Sequence, residues 1–251
     1  MTDSSRTLPD SIFPAKMQIL SGSALKLLAI IIMAIDHTAH VVLSRWLPAM
    51  QPLFVIGNTE YSLYRICRDI GRSAFPIFCF LLIEGFLHTS NRFRYGRNLF
   101  LFALLSEIPF NCVFQVNSIW DAAHQNVFFT LFFGYLAMCA WEYFENRPLL
   151  QGSCLTALCV LSYHFRADYG IRGFLFILLL YFLRHEKLAQ TLMGSFFLYW
   201  EWKACFAFLS LNMYNGKRGF IRGKFGKYFF YIFYPLHLVV LEIIRYQLFF
   251  K

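Results

Sequence analysis

Apolar residues fall into eight long runs, 24–43, 73–87, 98–114, 126–144, 150–163, 170–183, 189–211 and 228–250, separated by short polar segments. Several approach the ~20 residues that a helix needs to cross ~30 Å of hydrocarbon. They do not alternate as barrel strands would, and in lipid a helix satisfies its own backbone hydrogen bonds. The pattern therefore predicts an all-α fold, a polytopic bundle of eight transmembrane helices. A polar tail over residues 1–23 would precede a single membrane domain over 24–251.

Composition supports this class. Hydrophobic residues make up 58% of the 251 and charged residues only 15%, which lies outside the range of soluble domains. The tail has no short apolar core followed by a small-residue cleavage site, and so reads as retained. The net charge of +9 sits in clusters between the runs, where it speaks for topology and a lipid bilayer rather than nucleic acid. An inner (cytoplasmic) membrane protein with multiple passes is expected.

The charges also test the helix count. With the N-terminus inside and eight spans, the basic loop 91–97 falls inside, but the loop 217–227, with five cations, falls outside. If the run 189–211 is instead two short or re-entrant pieces broken near Trp200, Glu201, Trp202 and Lys203, both loops reach the cytoplasm. Nine segments are thus the charge-consistent alternative. Residues 58–72 form a different pattern, with Arg65, Arg68 and Arg72 interleaved among apolar residues as an amphipathic helix leading into the second run. Seven scattered cysteines without a CxxC pair read as small buried side chains, and no metal site is indicated.

Candidate chemistry lies where polar groups interrupt the runs. Asp36, His37 and His40 occupy the first, and ionisable side chains at hydrocarbon depth point to function. Lys26 and His37 are eleven residues apart, within about 20° of one helix face and about 16 Å along it. His37 is placed to act as a general base, and Asp36, about 100° away, to pair with a cation on a neighbouring helix. Packing against a backbone carbonyl is the plain alternative for His37. In the second run Glu84 and His88 share a face, as catalytic acid with its partner or as an architectural pair, and Pro76 begins or bends the helix. Glu107 interrupts the third run, behind the cations Arg92, Arg94 and Arg97, which mark a membrane boundary or bind phosphate. Asn126 and Asp168 are helix caps or acceptor-site polar groups. The segment 214–238 interleaves four glycines with Lys217, Arg218 and further cations, suited to a phosphate or to anionic lipid, and continues to Tyr234 and His237.

The stretches LKLLAIIIMAIDHTAH, GRSAFPIFCFLLIEGFLHT, YGRNLFLFALLSEIPFN, NVFFTLFFG, ADYGIRG, YNGKRG and FYIFYPLHL, in order over nearly the whole chain, resemble the TraX family. That family is named for conjugal-transfer proteins that acetylate the N-terminus of pilin. It is similar in turn to transmembrane acyltransferases, in which a basic residue and a histidine separated by ten residues recur on the first helix. Lys26 and His37 fit that spacing, with Lys in place of the commoner Arg. The resemblance implies an acyltransferase using acetyl-CoA as donor, with His37 as base or transient acyl carrier, aided by Asp36 or Glu84. Lys26, Arg65, Arg68, Arg72, Arg97, Lys217 and Arg218 become candidates for the coenzyme. The acceptor, a protein, glycan or lipid, would meet His88, Glu107, Asn126, Asp168, Tyr234 or His237. The rival readings are a transporter coupled to protons through Asp36, His37, Glu84 and Glu107, and a non-catalytic part of a conjugation or secretion apparatus.

Overall fold

The first helix starts where its four free N–H groups find acceptors. In a computed structural model, which describes residues 12–114, 123–221 and 223–250, α1 runs from Gly22 to Val41. Ala24 N–H donates to the Ser21 hydroxyl and Leu25 N–H to the Ser21 carbonyl. Gly22 and Ser23 N–H donate to the carbonyls of Lys217 and Arg218 at 2.8 and 2.9 Å. The Ser23 hydroxyl donates to Arg218 and accepts from Ile221 N–H, both at 2.9 Å. Leu20 bridges Tyr214 in parallel. A helix start that would otherwise carry unsatisfied donors is thereby stitched to a segment about 195 positions later.

The chain continues through a short α2 (Leu47–Met50) and a two-stranded hairpin, β1 (Pro52–Ile56) paired antiparallel with β2 (Thr59–Ser62). The amphipathic α3 (Leu63–Gly71), capped by the Ser62 hydroxyl, leads into the apolar α4 (Ala74–His88) as its residue pattern predicts. Pro76 falls in the first turn of α4, where its missing N–H costs nothing. There follow α5 (Arg92–Phe114), α6 (Val127–Tyr143), α7 (Pro148–His164) and α8 (Gly170–Phe182).

The run 189–211 breaks at the foreseen place. α9 (Lys187–Phe197) gives way to a 3-10 segment (Tyr199–Phe206) in which Glu201 has non-helical φ/ψ, and α10 (Ala207–Asn212) turns back. Asn212 Nδ2 donates to Thr191 Oγ1 at 2.9 Å and Cys205 Sγ to the Ser195 carbonyl, so the two helices form an antiparallel hairpin. The chain therefore re-emerges at the end where α1 begins, and α11 (Gly223–Phe249) starts there. Because Tyr214 reaches Glu84, one turn before the end of α4, residues 91–97 lie at that end too.

The all-α expectation holds for the bundle, with the β-hairpin as an addition that the apolar pattern did not register. The count of eight or nine spans does not hold. Among the described residues, four helical stretches are long and apolar enough to cross a membrane: Gly22–Arg45, Leu63–His88, Arg92–Phe114 and Tyr228–Phe249. Val127–Tyr143 and Gly170–Phe182 are apolar but shorter, and the hairpin of α9 and α10 divides one run into pieces of 11 and 6 residues. Apolarity alone did not reveal where helices end.

The stitch between Ser23 and the 217–221 segment gives a first prediction. Ser23→Ala removes both side-chain hydrogen bonds and leaves Ile221 N–H without its acceptor, at a cost of about 1–3 kcal/mol. Trypsin should then cut the detergent-solubilised protein after Lys217 or Arg218 faster than wild type; an unchanged cleavage rate would show that the stitch contributes nothing.

Candidate active site

A cavity of about 200 Å³ lies where the C-terminal half of α1 meets the end of α3, the starts of α4, α6 and α8, the end of α5 and the centre of α11. Its polar lining is Asp36, His37, His40, Arg68, Arg72, His124, Asp168, Tyr169 and Tyr234, against Met33, Phe75, Phe78, Phe110 and Phe114. The trio that interrupts the first apolar run thus faces one space.

Each charge has a partner. Asp36 Oδ2 accepts from Arg68 Nη1 at 2.7 Å, the neighbouring cation its position called for. The approach of α3 requires Gly71, because a Cβ there would overlap the Asp36 carboxylate. Asp36 Oδ1 is buried and accepts from none of the described residues. The rest of α3 is anchored to the 3-10 segment, Arg72 Nε to Glu201 at 3.2 Å and Asp69 to Lys203.

His37 Nδ1 lies 2.6 Å from His237 Nε2, with the rings end-on and nearly coplanar, 4.9 Å between centroids and 10° between planes. His237 Nδ1 in turn donates to the Phe233 carbonyl at 2.8 Å. Phe114 meets the His37 ring edge-on at 5.3 Å, and Tyr234 flanks both imidazoles. His40 also contacts the Phe114 ring, at 4.9 Å between centroids.

On the opposite wall, His124 Nε2 is 3.0 Å from Asp168 Oδ1. A parallel bridge between Gln125 and Ala167 holds the two segments together, and the Tyr169 ring stacks on Phe75. Asp168 does not cap α8. The hydrogen bond that His124 donates to Asp168 raises its pKa above the ordinary 6.5, outweighing the opposing effect of burial.

The remaining expected site residues divide. Tyr234 and Asp168 line the cavity and His237 supports it, whereas Glu84 does not belong to it. Glu84 accepts from the Tyr214 hydroxyl at 2.7 Å, with His88 at 3.8 Å, in a separate cluster toward the start of α1, so the structure does not bring it to His37 beside Asp36. Glu107 and Asn126 form a buried pair, in which Asn126 also caps α6 and donates to the Ala103 carbonyl. That is an architectural tie between α5 and α6.

Lys26 and His37 do share a face, since both contact α11, Lys26 over Phe230 and His37 against His237. The seven proposed coenzyme cations do not converge. Arg68 and Arg72 line the cavity but are occupied by acids; Arg65 is exposed over Tyr61; Lys26, Arg97, Lys217 and Arg218 are exposed toward the opposite end. Lys217 and Arg218 line an open groove of about 850 Å³ with Gly219 and Phe220. Spacing along single helices could not reveal this division. His124 went unnoticed because its neighbourhood reads as an ordinary polar loop.

Long apolar helices that enclose an acid, guanidinium groups and imidazoles define the class, a helical membrane protein with ionisable groups in its interior. The chain belongs to the TraX family, whose model, described as TraX protein, matches residues 21–245. It is 29% identical to the probable fimbrial assembly protein FimC, serogroup H1, of Dichelobacter nodosus, over 88% of this chain and 94% of that one. No solved structure matches.

Two predictions follow from the cavity walls. Gly71→Ala should destabilise the protein by about 1–3 kcal/mol through overpacking against Asp36. Gly152→Ala, in open space on α7, should be neutral or stabilising by up to about 1 kcal/mol. Thermal unfolding in one detergent compares them, and equal midpoints would refute the contact. The His124–Asp168 bond should contribute fully below about pH 6.5, where His124 is charged even in the unfolded chain, and be lost as pH rises through the raised folded value. An NMR titration of His124 should have its midpoint above 6.5, and Asp168→Asn should lower it.

Proposed function

We propose that the protein is a membrane-embedded acyltransferase that moves an acyl group, acetyl in the simplest case, from acetyl-CoA to an amine or hydroxyl acceptor. The observation that carries this reading is His37, hydrogen-bonded through Nδ1 and lining a polar cavity within an otherwise apolar bundle. In the reaction, the acceptor's N or O attacks the thioester carbonyl while His37 Nε2 takes its proton. The carbonyl becomes an oxyanion, which then collapses and expels the thiolate. The imidazolium returns the proton to sulfur, leaving the acylated acceptor and the free thiol. Arg68, Arg72 and the Tyr234 hydroxyl supply charge and hydrogen-bond donation at the cavity wall for the oxyanion.

The cavity's volume suits the acyl thioester and the attacking group, since whole ligands of drug size occupy about 300–1,000 Å³. The nucleotide end of the donor would lie outside it. The basic segments 91–97 and 217–227, at the end where α1 begins, suit the cytoplasmic face of an inner membrane. His37 is fifteen residues into α1, about 22 Å from that end, so only a donor with a long flexible arm reaches it.

The name of the Dichelobacter nodosus relative favours a fimbrial subunit as acceptor, and equally a non-catalytic part in fimbrial assembly. Membranes containing the protein should transfer label from acetyl-labelled acetyl-CoA to an acceptor without an imposed proton gradient. His37→Ala should lower that transfer at least about 100-fold while the protein remains inserted. Full activity in the variant would remove His37 from the mechanism; a strict dependence on the gradient would favour the proton-coupled transporter; no transfer from wild type would favour the assembly role.

A further inference from the structure

We infer that His237 is a positioning residue that sets the tautomer of His37, and with it the nitrogen that can act as base. The inference rests on the reading of His37 as the acyltransferase base, but its physical content can be measured without any reaction. The Phe233 carbonyl can only accept, so the contact at 2.8 Å requires His237 to carry a proton on Nδ1. In a neutral ring the proton on Nδ1 leaves Nε2 as an acceptor. The 2.6 Å contact from that atom to His37 Nδ1 then requires His37 to be the donor. A neutral His37 with its proton on Nδ1 has its lone pair on Nε2, which hydrogen-bonds to none of the described residues.

The alternative assignment places a charged imidazolium at position 237. Among the described residues no carboxylate pairs with its ring, whose ring contacts are His37, Phe233 and Tyr234. The groups around the His37 ring are His237 and Tyr234 on α11 and Phe114 on α5, with His40 on its own helix and the Arg68 guanidinium on α3 also lining the cavity. The two carboxylates of the cavity are engaged elsewhere, Asp36 with Arg68 and Asp168 with His124, so neither neutralises a cation at position 237. The neutral relay is therefore the assignment that fits the surroundings.

The rings are also held against reorientation. His237 runs near-parallel to Phe233, at 5.1 Å and 11°, and meets His37 end-on and nearly coplanar, at 4.9 Å between centroids and 10° between planes. Its role is to accept one hydrogen bond from a defined direction, as the carboxylate does in other histidine-based catalytic sites. A neutral imidazole does this without adding a charge to the apolar interior.

The test uses full-length protein labelled with ¹⁵N in histidine rings and reconstituted in phospholipid vesicles, with the His37 signals assigned from their disappearance in His37→Asn. In wild type, His37 should show a protonated Nδ1 and an unprotonated Nε2. The opposite tautomer, or a mixture, overturns the inference without any variant. His237→Gln can keep a carbonyl acceptor near the position of Nε2 and should retain the tautomer; His237→Leu should give a mixture. In the transfer assay, His237→Leu should lower kcat about 10- to 100-fold with KM for acetyl-CoA unchanged, and His237→Gln should recover most of the loss. An unchanged tautomer in His237→Leu, or a change in KM alone, overturns the positioning role. If wild type transfers no acyl group, the function fails while the spectra still decide the tautomer.

Discussion

An acid in the middle of an apolar helix has to meet a cation at close range, and much of this structure is arranged around that requirement. Asp36 meets Arg68, and removing one member of such a shielded pair typically costs about 3–5 kcal/mol. The pair can form only because residue 71 lacks a side chain, so the end of α3 lies directly on α1. α3 is then fixed from its other side, through Asp69 and Arg72, to Lys203 and Glu201 of the 3-10 segment. The break in the run 189–211 thus presents its two charged residues to the helix that neutralises Asp36. A continuous spanning helix there would leave both without these partners.

The same break governs topology. By returning the chain to the end where α1 begins, the α9–α10 hairpin lets the segment 213–221 supply carbonyls to the open N–H groups of α1. Cations at 217 and 218 and those at 92–97 then share one end of the bundle, while the acids and imidazoles of the cavity lie deeper, toward the other. Charge that serves orientation and charge that serves chemistry are separated along the helix axes.

What the sequence showed was governed by local rules. Each apolar run contains a helix, the amphipathic α3 followed from its interleaved arginines, and the partner required by Asp36 came from those arginines. The shared face of Lys26 and His37 followed from helical period alone. What stayed hidden depends on how separate helices meet. Glu84 and Asp36 look equivalent as buried acids, yet one faces Tyr214 and the other the cavity. Arg65 and Arg68 differ by three positions, and only the second reaches an acid. His124 enters the site through a bridge between two loops, for which hydrophobic period carries no signal. Span number failed for a related reason, because an apolar run does not record whether its helix crosses or turns back.

The stitch between the segment before α1 and the segment before α11 also works as a ruler. Both helices leave that junction in the same direction. His37 lies fifteen residues beyond the first residue of α1, and His237 fourteen beyond the first of α11, so the two rings arrive at nearly equal depth, about 21–22 Å from a common origin. Inserting a single residue upstream of either histidine would change its depth by only 1.5 Å but turn its ring through about 100°, away from its partner. Between junction and histidine, an exposed position such as Ile31 therefore accommodates a changed apolar side chain, whereas an added or lost residue breaks the contact between the rings.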